Sequence, residues 1–258
     1  MKSYHDIAGD GGSDVLGQVA ARQRAVADAL AGVRRILAVG SGKGGVGKST
    51  VTLALARAFR RRGLRIAILD ADLNGPSQAR MAGLESAPWI PADGQLALPR
   101  RPDGIGVVSL GSLLAAGQAA EAAERLAFVM VTVPSDVSRG VVARALAALA
   151  ETPAALLGYV ENMAGYLCRD CGEVRPLFPE PTVALDAPCL GRIPFDPALA
   201  ELCDRGWPEG SAVEEDSAAF RQIEDLAAAI QDRLKRPSSV SAGVGGGPNQ
   251  EPLEEETR

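Results

Sequence analysis

Residues 36–50 read ILAVGSGKGGVGKST. The apolar run Ile36–Gly40 has the character of a buried strand, and Gly42–Thr50 behind it fits G-x-x-x-x-G-K-[ST]. Strand, loop and then helix is the setting that a nucleoside-triphosphate site requires. Gly42, Gly44, Gly45 and Gly47 allow the backbone to curl with its N–H groups facing inward as an anion nest. Val46 and the first helical turn at Lys48, Ser49 and Thr50 complete the cradle, backed by the positive end of the helix dipole. Lys48 is expected to reach the β- and γ-phosphates, and the Ser49 hydroxyl to ligate magnesium. A second lysine, Lys43, stands near the start of the loop.

Outward from the loop, strands and helices alternate. Thr50–Arg62 carries Leu53, Leu55, Ala56 and Phe59 as a helix that stops at Gly63. Strands are predicted at Arg65–Leu69, Ile105–Leu110, Phe128–Val133, Leu156–Val160 and Leu190–Ile193, and a helix over Val137–Ala150 capped by Asp136. Apolar strands alternating with helices specify an α/β, three-layer fold around a mostly parallel sheet. Ligands of such sheets sit at the carboxyl ends of the strands. That rule places the phosphate loop, Asp70–Asp72, Pro134–Asp136 and Glu161–Asn162 along one rim.

The chain has 258 residues, 47% of them hydrophobic, enough for one sizeable core. We assign that domain to residues 34–235. Residues 1–33 are a polar tail and a helix from Asp14 to about Ala31, and 236–258 form a Gly/Ser/Pro-rich, then acidic, tail expected to be disordered. Phe220, Ile223, Leu226, Ala227, Ile230 and Leu234 recur at helical spacing, and acidic neighbours such as Glu224 and Asp225 favour a helix packed on the core over a membrane-targeting one. A net charge of −5 offers no basic field for nucleic acid or anionic membrane. No signal peptide and no membrane span are expected, so the four cysteines point to the reducing cytoplasm. The single histidine, His5, falls in the N-terminal tail, which argues against histidine-based catalysis.

Two residue pairs carry further chemistry. Asp70 and Asp72 bracket the end of the second strand in ILDADLNGPS. Beside a phosphate site, one carboxylate can hold the hydration shell of magnesium and the other can orient water. The plainer alternative is that Asp70 ends a strand and Asp72 caps a helix after Pro76. Cys168 and Cys171 form a CxxC in the polar stretch LCRDCGEV. Thiolates so spaced bind zinc or an iron–sulfur cluster, or act as a redox pair. A cluster or a structural zinc needs four ligands. Two chains across a two-fold axis would supply them, or Cys189 and Cys203 would complete a zinc site within one chain. By the ordinary reading, Cys189 and Cys203 are small buried apolar residues.

Taken together, GSGKGGVGKST, LDADLNGPS followed by Arg80 and Met81, VVSLGSLL, VTVPSDV, GYVENMAGYLCRDCGEVRPLF and LGRIPFDP resemble the Mrp-type P-loop ATPases. These are iron–sulfur cluster carriers within the deviant-Walker-A, MinD/ParA-like superfamily. The resemblance covers about residues 34–207. It implies an ATP-bound homodimer in which Lys43 crosses to the partner's nucleotide and Asp72 positions water. It further implies that Asn162 reads adenine and that Asp196 lies in a loop beside the base; with Asp72 given to water, Asp70 is the carboxylate left to hold the hydration shell of magnesium. Cys168 and Cys171 would share a [4Fe–4S] cluster across the dimer for delivery to apo iron–sulfur proteins.

One departure stands out. Members of that family carry a helix and then a strand ending in Asp-x-Pro-Pro-Gly after the VVSLG strand. This chain instead runs from Gly111 through an Ala-rich linker to Phe128. The expected sheet is one strand short, and its flanking strands must pair directly or leave the sheet poorly formed. Three functions follow: an ATP-dependent iron–sulfur carrier, a hydrolysis-deficient pseudo-ATPase scaffold for an intact relative, or a ParA/MinD-like positioning ATPase, which the acidic balance disfavours.

Overall fold

The computed structural model describes residues 32–72, 77–85, 87, 90–92, 95–97, 99–109, 125–152, 154–168, 170–208 and 217–235, together with Gly17, Arg24 and Leu30. Its strands are β1 (Ile36–Ser41), β2 (Ala67–Asp70), β3 (Ile90–Ala92), β4 (Gln95–Ala97), β5 (Gly106–Ser109), β6 (Leu126–Thr132), β7 (Ala155–Leu167), β8 (Val174–Arg175) and β9 (Cys189–Phe195). Its helices are α1 (Lys48–Arg61), α2 (Gln78–Met81), α3 (Asp136–Ala150), α4 (Pro197–Asp204) and α5 (Ala218–Lys235). The acidic tail, His5, the Ala-rich linker and nearly all of the N-terminal helix lie outside the described residues; Gly17, Arg24 and Leu30 are helical.

β1, β6, β7 and β9 run parallel in that order, and β8 pairs antiparallel with the far end of β7. The apolar strands therefore build the mostly parallel α/β sheet expected from their composition. Alternation along β6 divides the core. Ala127, Val129 and Val131 face the larger cluster with α1 and α5, whereas Met130 faces a smaller one with Val142 and Leu146 of α3. The terminal helix behaves as its spacing predicts, burying Phe220, Ile223, Leu226, Ala227 and Ile230, and its Glu224 pairs with Arg61.

Several boundaries differ from the sequence reading. α1 starts at Lys48, because Gly47 takes a left-handed conformation (φ 84°) as the cap residue and turns the chain at once. β7 continues seven residues past its expected end at Val160 and carries the chain out to the CxxC loop. Asp136 does not cap α3. Ser135 does, accepting from Ser138 N, and Asp136 instead accepts bonds from the Thr182 and Val183 backbone and the Thr182 hydroxyl. Those bonds hold its carboxyl below the usual range, the Val183 N–H first among them.

The larger finding concerns the sheet. β2 and β5 pair parallel as a separate two-stranded sheet, and among the described residues β1 hydrogen-bonds to β6 alone. The flanking strands thus do not close up, and every residue of β1 is only half-buried. What joins the two sheets is side-chain packing. Ile68, Ile105 and Val107 share the core of α1. Arg57 of α1 pairs with Asp103 at 3.0 Å, and Arg60 donates to the Asp103 carbonyl. Arg101, 4% exposed, pairs with Asp103 at 3.2 Å and donates to the carbonyls of Ala82, Gly206 and Trp207. Trp207 in turn packs edge-on against Phe220 and beneath the Arg57 guanidinium, 4.9 Å from the ring centre.

Because Arg101 satisfies three carbonyls and a carboxylate at once, Arg101→Ala should lower the unfolding free energy by about 3–5 kcal/mol. Urea titration followed by tryptophan fluorescence measures the loss, and an unchanged midpoint would refute this account of how the β2–β5 unit is held.

Candidate functional site

The phosphate loop leaves β1 at Ser41 and enters α1 at Lys48. Its outer arc, Lys43, Gly44 and Gly45, is exposed, and a side chain at Gly44 or Gly45 would meet nothing within 4 Å. The inner arc is crowded. A Cβ on Gly47 would lie 2.2 Å from the Asn162 amide nitrogen, and one on Gly42 would strike Val141. Val46 is buried in the core and anchors the loop. The curl is thus open outward and clamped from behind, the geometry of a backbone anion nest at a helix N-terminus.

Three contacts join the start of α1 to the segment after β2. Lys48 Nζ lies 3.5 Å from Asp72 Oδ2, with both side chains about a third exposed. Ser77 Oγ donates to Ser49 Oγ at 2.7 Å, and Gln78 Nε2 donates to the Ser49 carbonyl at 3.0 Å. Asp70 is buried, and its carboxylate accepts from the backbone N–H groups of Asp72, Ser77 and Gln78. Asp70 therefore shapes this turn, and the turn presents Asp72 and Ser77 to Lys48 and Ser49. Periodicity singles out neither Ser77 nor Gln78; only the turn built on Asp70 brings them to Ser49.

Asn162, on β7, donates to the Val46 carbonyl at 3.0 Å and is 6% exposed. Asp196 is 5% exposed and caps α4, accepting from Ala198 N at 2.8 Å and from the Ser217 hydroxyl. Thr50 lies against the Cys203 thiol. Glu161, placed on the rim by the sequence reading, is a buried ion-pair centre between Arg139 and Arg192. Sequence spacing gives no signal for that triad, since its members come from α3, β7 and β9.

Beyond Asn162, β7 leads into the β7–β8 hairpin, where Cys168 N donates to Glu173 O and Gly172 N to Cys168 O. Cys168 is half-buried and Cys171 exposed. The Cys168 thiol is held below its ordinary value, first by the Cys171 N–H, then by the Asp170 N–H and the Cys171 thiol. The intrachain zinc alternative fails on placement. Cys203 is buried on α4, its thiol pushed by burial up to about 12, and Cys189 sits at the start of β9. No group of three or more His, Cys, Asp or Glu able to hold a metal occurs among the described residues. Cys189 is also exposed, contrary to its expected burial, because it opens the edge strand β9.

The family model described as ParA, NUBPL iron-transfer P-loop NTPase, matches residues 32–123 and 118–231. The two matches meet in the connection between β5 and β6. Human cytosolic Fe-S cluster assembly factor NUBP2 is 31% identical over 79% of this chain and 94% of its own length. The iron-sulfur cluster carrier protein of Aquifex aeolicus is 31% identical over 69% of this chain and 62% of its own. The alignment to nubp2 of Xenopus tropicalis runs over 257 positions but uses 77% of these 258 residues, about 199, so roughly 58 positions of the relative have no counterpart here. Among solved structures, the ADP-bound nucleotide-binding protein of Archaeoglobus fulgidus superposes with a TM-score of 0.61 at 30% identity, covering 78% of this chain and 96% of that one. MinD of Pyrococcus horikoshii shares the fold, with a TM-score of 0.59 at 20% identity over 80% of this chain and 99% of that one. Sequence and fold agree, and the chain belongs to the NUBPL-type, ParA-like family of iron-transfer P-loop NTPases.

Proposed function

We propose that this chain is an ATP-binding iron–sulfur cluster carrier that acts in the cytoplasm as a homodimer. Its cargo is a [4Fe–4S] cluster held between Cys168 and Cys171 of two copies and passed to apo iron–sulfur proteins, with nucleotide state as the switch. One arrangement carries the reading: a single strand, β7, touches the phosphate loop through Asn162 and ends at the CxxC pair six residues later. The CxxC of each chain offers two thiols, and no third ligand gathers beside them among the described residues, so a four-thiolate site calls for a second copy. The names of the human and Aquifex relatives agree with this role. Zinc is the alternative occupant of the same thiolates.

The backbone of Gly42–Thr50 and the Lys48 ammonium suit the phosphates of ATP, and the Ser49 hydroxyl suits Mg2+, with Asp70 behind it through the turn it shapes. Lys48 would exchange Asp72 for phosphate, leaving Asp72 to position water. Lys43 is exposed, as a lysine that reaches a partner's nucleotide must be. Asn162 gives its N–H to Val46, so its amide oxygen is the atom suited to the adenine amine. Asp196 contributes through the loop it caps. Bound nucleotide supplies a triphosphate whose cleavage changes the charge at this loop.

A second reading is a nucleotide-binding scaffold without hydrolysis. The split sheet favours it, since among the described residues no strand pairs with β1 on the side away from β6 to bring another acid to the metal. The positioning-ATPase reading has no comparable support: among the described residues no helix is long and apolar enough to cross a membrane, and the net charge is negative.

Anaerobic reconstitution with iron and sulfide should give a brown dimer, and the double variant Cys168→Ser, Cys171→Ser should stay colourless and monomeric. A colour that survives the double substitution would overturn the assignment. Before reconstitution, iodoacetamide near neutral pH should label Cys168 faster than it labels free cysteine, because the lowered pKa puts more thiolate there. Cys203, raised to about 12, should react only after unfolding. Lys48→Ala should weaken ATP binding by about 10- to 100-fold, the worth of a charge-assisted phosphate contact. If wild type and Lys48→Ala release phosphate equally slowly while binding differs, the scaffold reading holds.

A further inference from the structure

Gln78 is 4% exposed, and its Oε1 finds no hydrogen-bond partner among the described residues. Its orientation is fixed by chemistry: Nε2 faces the Ser49 carbonyl at 3.0 Å, and only the amide nitrogen can donate there. A buried amide oxygen left without a donor is costly and calls for an explanation. It stands next in the chain to a half-buried hydroxyl that also reaches Ser49. The Ser77 hydroxyl, adjacent in the chain, is bonded to the hydroxyl of Ser49 at 2.7 Å. Both backbone N–H groups of Ser77 and Gln78 are held by Asp70 Oδ2, at 2.8 and 3.0 Å, so neither residue can drift from Ser49 without breaking the Asp70 turn.

We propose that Ser77 and Gln78 are positioning residues for a hydrated divalent cation at Ser49; this rests on the nucleotide-binding reading above. A hydroxyl that ligates a cation must offer a lone pair and send its proton elsewhere. Ser77 Oγ is placed to take that proton. With no cation it donates to Ser49, and with one it accepts from Ser49, turning the lone pairs of Ser49 toward the metal. Gln78 fixes the Ser49 backbone meanwhile, and its Oε1 suits a donor such as metal-bound water, since Mg2+ keeps several of its waters when it binds protein. A cation that meets this cluster would be held through Ser49 and one or more of its waters, with Asp70 acting only through the backbone it grips.

The test is ADP affinity of the full chain by calorimetry, measured in excess Mg2+ and in EDTA, for wild type and for Ser77→Ala, Ser77→Thr and Gln78→Met. For wild type the ratio of the two affinities should be well above one. Ser77→Ala and Gln78→Met should each shrink that ratio by about fivefold to tenfold, the scale of one lost hydrogen bond to a charge-polarised group, and Ser77→Thr should restore it. Thermal melting of each variant reports folding separately, and Ser77→Thr keeps the test decisive if Ser77→Ala melts early. A wild-type ratio that survives in both Ser77→Ala and Gln78→Met overturns this inference alone. Absence of any ADP affinity in wild type overturns the nucleotide reading and this inference with it.

Discussion

Helix α1 is the member on which the rest of the molecule hangs. Its N-terminus receives the phosphate loop, and Val51, Leu53, Leu55 and Phe59 along it are buried in the main core. Its Arg57 and Arg60 reach the loop ahead of β5. In an ordinary doubly wound sheet a hydrogen-bonded ladder would fix the distance between the phosphate-loop strand and its neighbour. In this protein that distance is set by how side chains on one helix pack against two separate sheets. Hydrophobic burial is non-directional, so the arginine contacts to Asp103 and to the carbonyls of Ala82, Gly206 and Trp207 supply the direction.

The site is likewise assembled from three segments that converge on the same turn of backbone. Asp70 shapes the turn after β2, Asn162 presses on the phosphate loop from β7, and the loop itself is locked against Val141 and the core. The outer face of the loop stays open while the inner face is braced. Rigid support behind an exposed cradle lowers the ordering cost of gripping an anion. The same β7 then runs on to the cysteine hairpin, its pairing with β9 broken by an irregularity between Asn162 and Tyr166.

Much of this was legible in the amino-acid order. GKGGVGKST between an apolar run and a helical pattern defines loop, strand and helix together, and the stripe from Phe220 to Ile230 foretells α5. Asp136 was harder to read: an acid at a helix start resembles a cap, yet Ser135 takes that role because the Asp136 carboxylate is drawn to a segment 46 residues away. The extent of β7 is similarly hidden, since residues past Val160 become strand only when β9 and β8 arrive to pair with them. Ser77 and Gln78 carry no periodic signal and gain their meaning from Asp70. The missing segment between β5 and β6 could be read from the sequence, but its result, two sheets instead of one narrower sheet, depends on packing around α1.

Among the described residues β1 is paired on one flank alone, and an unpaired flank is a template. Ile36–Ser41 contains no proline and no charged side chain, the guards that soluble proteins place on such borders. Where no other segment covers that flank, its outward N–H and C=O groups can pair with an extended chain that slides alongside. The seam between the two sheets is thus where a foreign strand would find main-chain groups to join, a hazard that a closed ladder would remove.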